Sequence, residues 1–168
     1  ESLKIEHAKQ APPAVEEKEL ALVTPATVSG VKEINRDARF IAYEDGTVLD
    51  TKTNLMWAAK DSGADITWGP AVKYCENYRG GSYTDWRMPT QKELSTLYNK
   101  QIGYVLQKGK GEVRLTSLIQ LSACCPQMIY TENTAIQASY NFTNGQWFWG
   151  NRAVGYYEGR ALPVRSGK

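Results

Sequence analysis

The chain has 168 residues, 42% of them hydrophobic and 23% charged, which suits one ordinary domain with a single core and some tail. Its net charge of +2 hides a split: residues 1–38 carry five basic and seven acidic side chains, the remainder fifteen and eleven. That mild basic skew excludes a nucleic-acid-binding stripe, and no run approaches the roughly eighteen apolar residues a membrane span needs.

The chain starts at Glu1 without an initiator Met, so trimming is expected, and any export signal would have gone with the removed segment. Residues 1–38 read as a flexible tether. Gln10–Glu19 mixes proline with charge, Thr24–Gly30 is a Pro/Thr/Ser stretch, and neither carries apolar periodicity to offset the entropy of ordering. Folded structure is expected over 39–168. Thr47–Asp50 and Leu55–Ala58 flank turn chemistry at Thr51–Asn54 and predict a hairpin. Thr67 stands at an N-cap position with Pro70 in the first turn, and Ala71, Val72, Cys75 and Tyr78 repeat at helical spacing up to Gly80-Gly81. After Pro89, Thr90 and Glu93 form a capping box, with Leu94 and Leu97 as the apolar stripe of a second helix. Residues 101–127 are poorly patterned. Gln137–Phe142 and Gln146–Trp149 flank Asn144-Gly145, a strong hairpin signal, and Tyr156-Tyr157 with Ala161–Arg165 would supply a last strand. The sum is an α+β domain with a mainly antiparallel sheet.

Several motifs then become recognisable. Asp45–Asp50, Leu55-Met56-Trp57, Tyr74–Asn77, the stretch Gly81–Thr90 with Lys92-Glu93-Leu94, Phe142–Gly145 and the terminal Val164-Arg165 resemble the signature of the bacterial Lcl C-terminal domain family. The resemblance covers about residues 40 to 165. It implies a C-type-lectin-like fold and an extracytoplasmic location, in the periplasm, at the outer surface or secreted. It also implies binding of glycans or surface polysaccharides. Family members often place a cysteine just before the final Val-Arg, as partner to the helical one; this chain has Pro163 there.

Of the three cysteines, at least one is unpaired within the chain, and if a bridge forms it is expected to join Cys75 to Cys124 or Cys125. The only histidine, His7, lies in the expected tether, so Ser-His-Asp or Cys-His machinery is not expected. No pair of carboxylates is selected by spacing, and no catalytic residue is assigned. The triplets and the EF-hand pattern that would hold calcium are absent. No cofactor is expected, with a structural calcium the one group left open.

Aromatic density gives the strongest functional hint. Residues 128–168 hold eight of the eighteen aromatics. Trp and Tyr rings stack on the C–H faces of sugars, while Arg and Asn satisfy hydroxyls or sulfates. Alternation sets Trp147 and Trp149 on one strand face and Phe148 on the other. An exposed aromatic-basic rim of Trp149, Asn151, Arg152, Tyr156, Tyr157 and Arg160 is the expected ligand site. The reading is a carbohydrate-binding or adhesive module that takes a glycan or anionic polysaccharide. The alternative is a protein-interaction or scaffold domain of an envelope assembly. An oxidative enzyme of the formylglycine-generating kind fits poorly, because adjacent Cys124-Cys125 lacks the spacing that chemistry uses.

Overall fold

The computed structural model describes residues 30–107, 111–129, 137–149 and 159–167. Among these, two helices and several mainly antiparallel sheets make an α+β architecture. The first sheet holds β1 (Glu33–Asp37), β2 (Phe40–Tyr43), β3 (Thr47–Asp50), β4 (Leu55–Ala58) and the C-terminal β11 (Val164–Ser166), in the order β1-β2-β3-β4-β11. Every neighbouring pair is antiparallel, with Val48 opposite Trp57 and Trp57 opposite Val164. The expected hairpin is therefore β3–β4. Asn54 adopts φ +53 in its turn, a conformation asparagine tolerates better than most residues.

Folded structure begins earlier than the sequence implies. β1 falls inside the stretch read as tether, while residues 1–29 lie outside the described residues. Its sequence, EINRD, is exposed and polar because it forms the sheet edge, so no apolar alternation marks it. Asp37 nonetheless ties it to the body, accepting a hydrogen bond from Thr116 Oγ1 at 2.6 Å.

Helix α1 (Trp68–Asn77) turns Ala71 and Cys75, one helical turn apart, into a cluster with Met88 and Ala161. Helix α2 (Gln91–Leu97) buries Leu94 and Leu97 in the main core beside Trp57, Met128 and Phe142. Its capping box is formed as the spacing requires: Thr90 Oγ1 accepts from the Glu93 N–H, and the Glu93 carboxylate accepts from the Thr90 N–H at 2.8 Å. Thr90→Ala removes one half of that exchange and is expected to cost about 1 kcal/mol, read as a lower urea midpoint at unchanged slope.

The second sheet contains β7 (Cys125–Ile129), β8 (Gln137–Asn141), β9 (Gln146–Trp149) and β10 (Gly159–Arg160), ordered β10-β7-β8-β9, with β10 parallel to β7. The Asn144-Gly145 turn joins β8 to β9. Gly145 sits at φ +78 with the Tyr98 ring against its Cα, so both the turn and the close approach require glycine. The poorly patterned stretch contributes a two-residue ribbon, β5 (Tyr104–Val105) with β6 (Glu112–Val113), followed by a loop into β7.

Candidate functional site

The stretch Tyr83–Glu93 is an architectural clasp. Trp86 is buried and donates its indole N–H to the Gly80 carbonyl at 3.1 Å. Arg165, only 6% exposed, lies with its guanidinium 3.8 Å over the Tyr83 ring and makes a fork to Asp85 at 2.6 and 3.1 Å. That hydrogen bond holds the Asp85 carboxyl below the usual carboxylate range. Arg87 makes a second fork to Glu93 at 2.9 and 2.5 Å. Burial pushes the Glu93 carboxyl upward, but the bonds from Arg87 and Thr90 outweigh it and leave it lowered. These groups spend their hydrogen-bonding capacity on one another, fastening the loop before α2 to β11.

Of the rim expected from sequence, only Arg160 has a described side chain. Asn151, Arg152, Tyr156 and Tyr157 lie outside the described residues, as does the side chain of Trp149 at the end of β9. Trp147 packs against the main core opposite Tyr140, and the half-buried Phe148 alternates to the other face of β9. Arg160 does not belong to an exposed rim. It is 9% exposed because β10 pairs with β7 and sets it opposite Pro126. Its Nε–H donates to Ser122 Oγ at 2.6 Å, and its Nη1 donates to the Gly159 carbonyl at 3.2 Å and to the Asp65 carboxylate.

The cysteine expectation is also corrected. Cys124 and Cys125 are bonded to each other, and Cys75 is a buried free thiol. Cys75 points into the cluster of Ala71, Met88 and Ala161, and burial pushes its pKa up to about 12. At neutral pH it is an inert apolar side chain.

A cleft of about 410 Å³ opens on the side of the molecule where Arg160 is anchored. Three separate segments build it: the chain leaving β4, the β5 ribbon strand and the loop before β7. Its floor is polar and satisfied. Asp61, 7% exposed, accepts from the Gly63 N–H at 2.8 Å, from Ser122 Oγ at 2.8 Å and from the Ser122 N–H at 2.6 Å. Tyr104 Oη donates to the Ile119 carbonyl at 2.8 Å and accepts from the Leu121 N–H at 2.6 Å, and burial pushes its phenol up to about 12. The rim is exposed and chemically mixed: Lys60, Gln107, Ser117 and Gln120 offer hydrogen bonds, and Val105 stands 69% exposed as an apolar face. The bonds that fix the floor leave the rim groups available to a ligand.

Sequence reasoning missed this site because no periodicity marks it. The turn at Asp61-Ser62-Gly63 was the one readable signal, an aspartate bonding the N–H two residues on. Among the described residues, no group of three or more His, Cys, Asp or Glu side chains is placed to hold a metal, and no helix is long and apolar enough to cross a membrane.

The family model described as the Lcl C-terminal domain matches residues 46–165. The chain belongs to the Lcl C-terminal domain family. That match spans the clasp, both helices and β11 as far as Arg165, parts on which the resemblance in sequence rests. No curated protein and no solved structure matches the chain significantly.

Proposed function

We propose that this Lcl C-terminal domain is an extracytoplasmic, C-type-lectin-like binding module that takes carbohydrate in the cleft between Lys60, Val105 and Gln120. The cleft carries the reading. Its volume, about 410 Å³, falls in the range of small-molecule sites. A sugar ring alternates hydroxyls with C–H faces. The Gln107 and Gln120 amides can both donate to and accept from hydroxyls, and the exposed Val105 meets a C–H face. Lys60 adds a single cation, which suits a neutral or anionic glycan and makes binding to the latter salt-sensitive. Trp149, Asn151, Arg152, Tyr156 and Tyr157 are retained in the proposal as a second surface for an extended chain. Arg160 is assigned instead to holding Ser122 in place.

A glycan array probed with the whole chain tests this reading. Lys60→Ala and Gln120→Ala should each weaken the best array hit by about fivefold, the effect of one net hydrogen bond, while leaving the melting temperature unchanged. Parent-like affinity in both variants would move the site to the second surface, where Tyr157→Ala is the next substitution to measure. A silent array would favour the envelope-scaffold alternative. Among the described residues β1 stands at the edge of its sheet, with Ile34 61% exposed, and this supports it, since an edge strand can take an added strand.

A further inference from the structure

Cys124 and Cys125 are joined to each other, and chain closure gives no reason for the bond. A disulfide stabilises largely by restricting the loop it closes, and neighbours in sequence enclose none. What the bond does constrain is the peptide between them, now part of a small ring. That peptide occupies a junction. Two residues upstream, Ser122 provides both bonds from the loop to the cleft-floor carboxylate of Asp61 and accepts the Arg160 Nε–H. On the other side, the Cys124 carbonyl accepts from the Phe142 N–H at 3.0 Å, and Cys125 opens β7 opposite Gly159 of β10. The two residues differ in exposure: Cys124 is partly exposed, and Cys125 is only 6% exposed.

We propose that Cys124–Cys125 is a thiol–disulfide exchange site for a dithiol, and that opening it loosens the hold of Ser122 on Asp61 and so weakens the cleft. A thiolate of the dithiol attacks Sγ of Cys124. The new S–S bond forms as the Cys124–Cys125 bond breaks, and Cys125 leaves as a thiolate and takes a proton from solvent. The second thiolate of the dithiol then attacks the dithiol's first sulfur in the mixed disulfide, breaking that sulfur's bond to Sγ of Cys124. The dithiol closes to its disulfide, and Cys124 is released and protonated. Two electrons pass to the protein, and the two thiol protons given up by the dithiol are balanced by the two taken up. The exchange chemistry stands independently of the carbohydrate reading; only its consequence for glycan binding rests on it.

The test uses the whole chain and dithiothreitol as the dithiol. Unfolded without reductant, the protein should alkylate at Cys75 alone; after reduction all three cysteines should react. In the folded, reduced protein Cys124 should alkylate and Cys75 should not. Hydrogen exchange at the Ser122 and Gly63 amides should accelerate about tenfold on reduction, the mark of local opening. The Cys124→Ser, Cys125→Ser double variant should exchange at the faster rate with or without dithiothreitol. Three reactive cysteines in unreduced, unfolded protein would overturn the proposal, as would identical Ser122 exchange in the two redox states. Neither readout uses a glycan, so a failed array leaves this result standing. If the array does yield a ligand, the reduced protein should bind it less tightly, and equal binding would overturn the coupling.

Discussion

Asp85→Ala should lower the stability of the domain by about 2–3 kcal/mol, although the side chain it removes is largely in water. The reason lies with its partner. Arg165 is 7% exposed at its side chain, whereas Asp85 is 58% exposed, so removing the carboxylate strands a cation that cannot reach solvent. Breaking a fully buried pair costs about 3–5 kcal/mol, and the hydration of Asp85 reduces that figure. Arg165→Met should be the milder substitution. It leaves no buried charge, Asp85 can hydrate, and the new thioether packs beside Met56 and under Tyr83, both of which Arg165 already touches. The same pair sets an acid limit. Because its partner depresses the Asp85 carboxyl in the folded state, its stabilisation is fully present above the unfolded value of about 3.9 and is lost as pH falls through the folded value. Urea unfolding at pH 7 and near pH 3 reads both effects. Asp85→Ala should lose part of the parent's stability at neutral pH and show a shallower decline in acid. A variant as stable as the parent at pH 7 would mean that Arg165 finds another partner.

This clasp marks where the fold was legible in sequence. Thr90 and Glu93 announce a helix start because capping is local, and Asn144-Gly145 announces a hairpin because its backbone needs are local. The stretch Gly81–Thr90 carries the family resemblance, and its groups fasten the loop to α2 and β11. A motif of that kind identifies a fold and says little about a ligand. β1 was hidden by its polar edge position, and the cysteine pairing by the inward turn of Cys75 among Met88 and Ala161. The cleft was hidden for a deeper reason. Asp61 lies 43 residues from Tyr104 and 61 from Ser122, and the site is held largely by bonds to backbone groups, which leave no trace in composition or spacing. Arg160 read as a surface cation because its sequence neighbours are polar and aromatic. A parallel pairing to β7 is what carries it inside.

The floor of the cleft yields the other large effect. Asp61→Ala removes a buried acceptor that holds three donors at once, and the Ser122 N–H and Oγ lie in a part-buried setting where water cannot fully replace it. Hydrogen bonds to a charged group contribute about 1.5–3 kcal/mol each and do not add independently, so the net loss should be about 2–4 kcal/mol. Asp61→Asn separates the contributions. Its carbonyl oxygen can still accept from Gly63 and from Ser122 Oγ, but its amide would face the Ser122 N–H, donor against donor. One bond is then lost rather than three, and the cost should fall to about 1–2 kcal/mol. Both variants should also weaken any glycan held in the cleft, because Ser122 and the turn at Gly63 form its wall. Lys60→Ala supplies the contrast, since an exposed rim cation should affect binding while leaving the fold untouched. Thermal melts of the three variants beside the parent, followed by titration with the best array ligand, read the series. The expected order of stability is Lys60→Ala equal to the parent, then Asp61→Asn, then Asp61→Ala. An Asp61→Ala protein that melts with the parent would show that the floor is not held by this carboxylate, and the cleft would lose the rigidity that makes it a binding site.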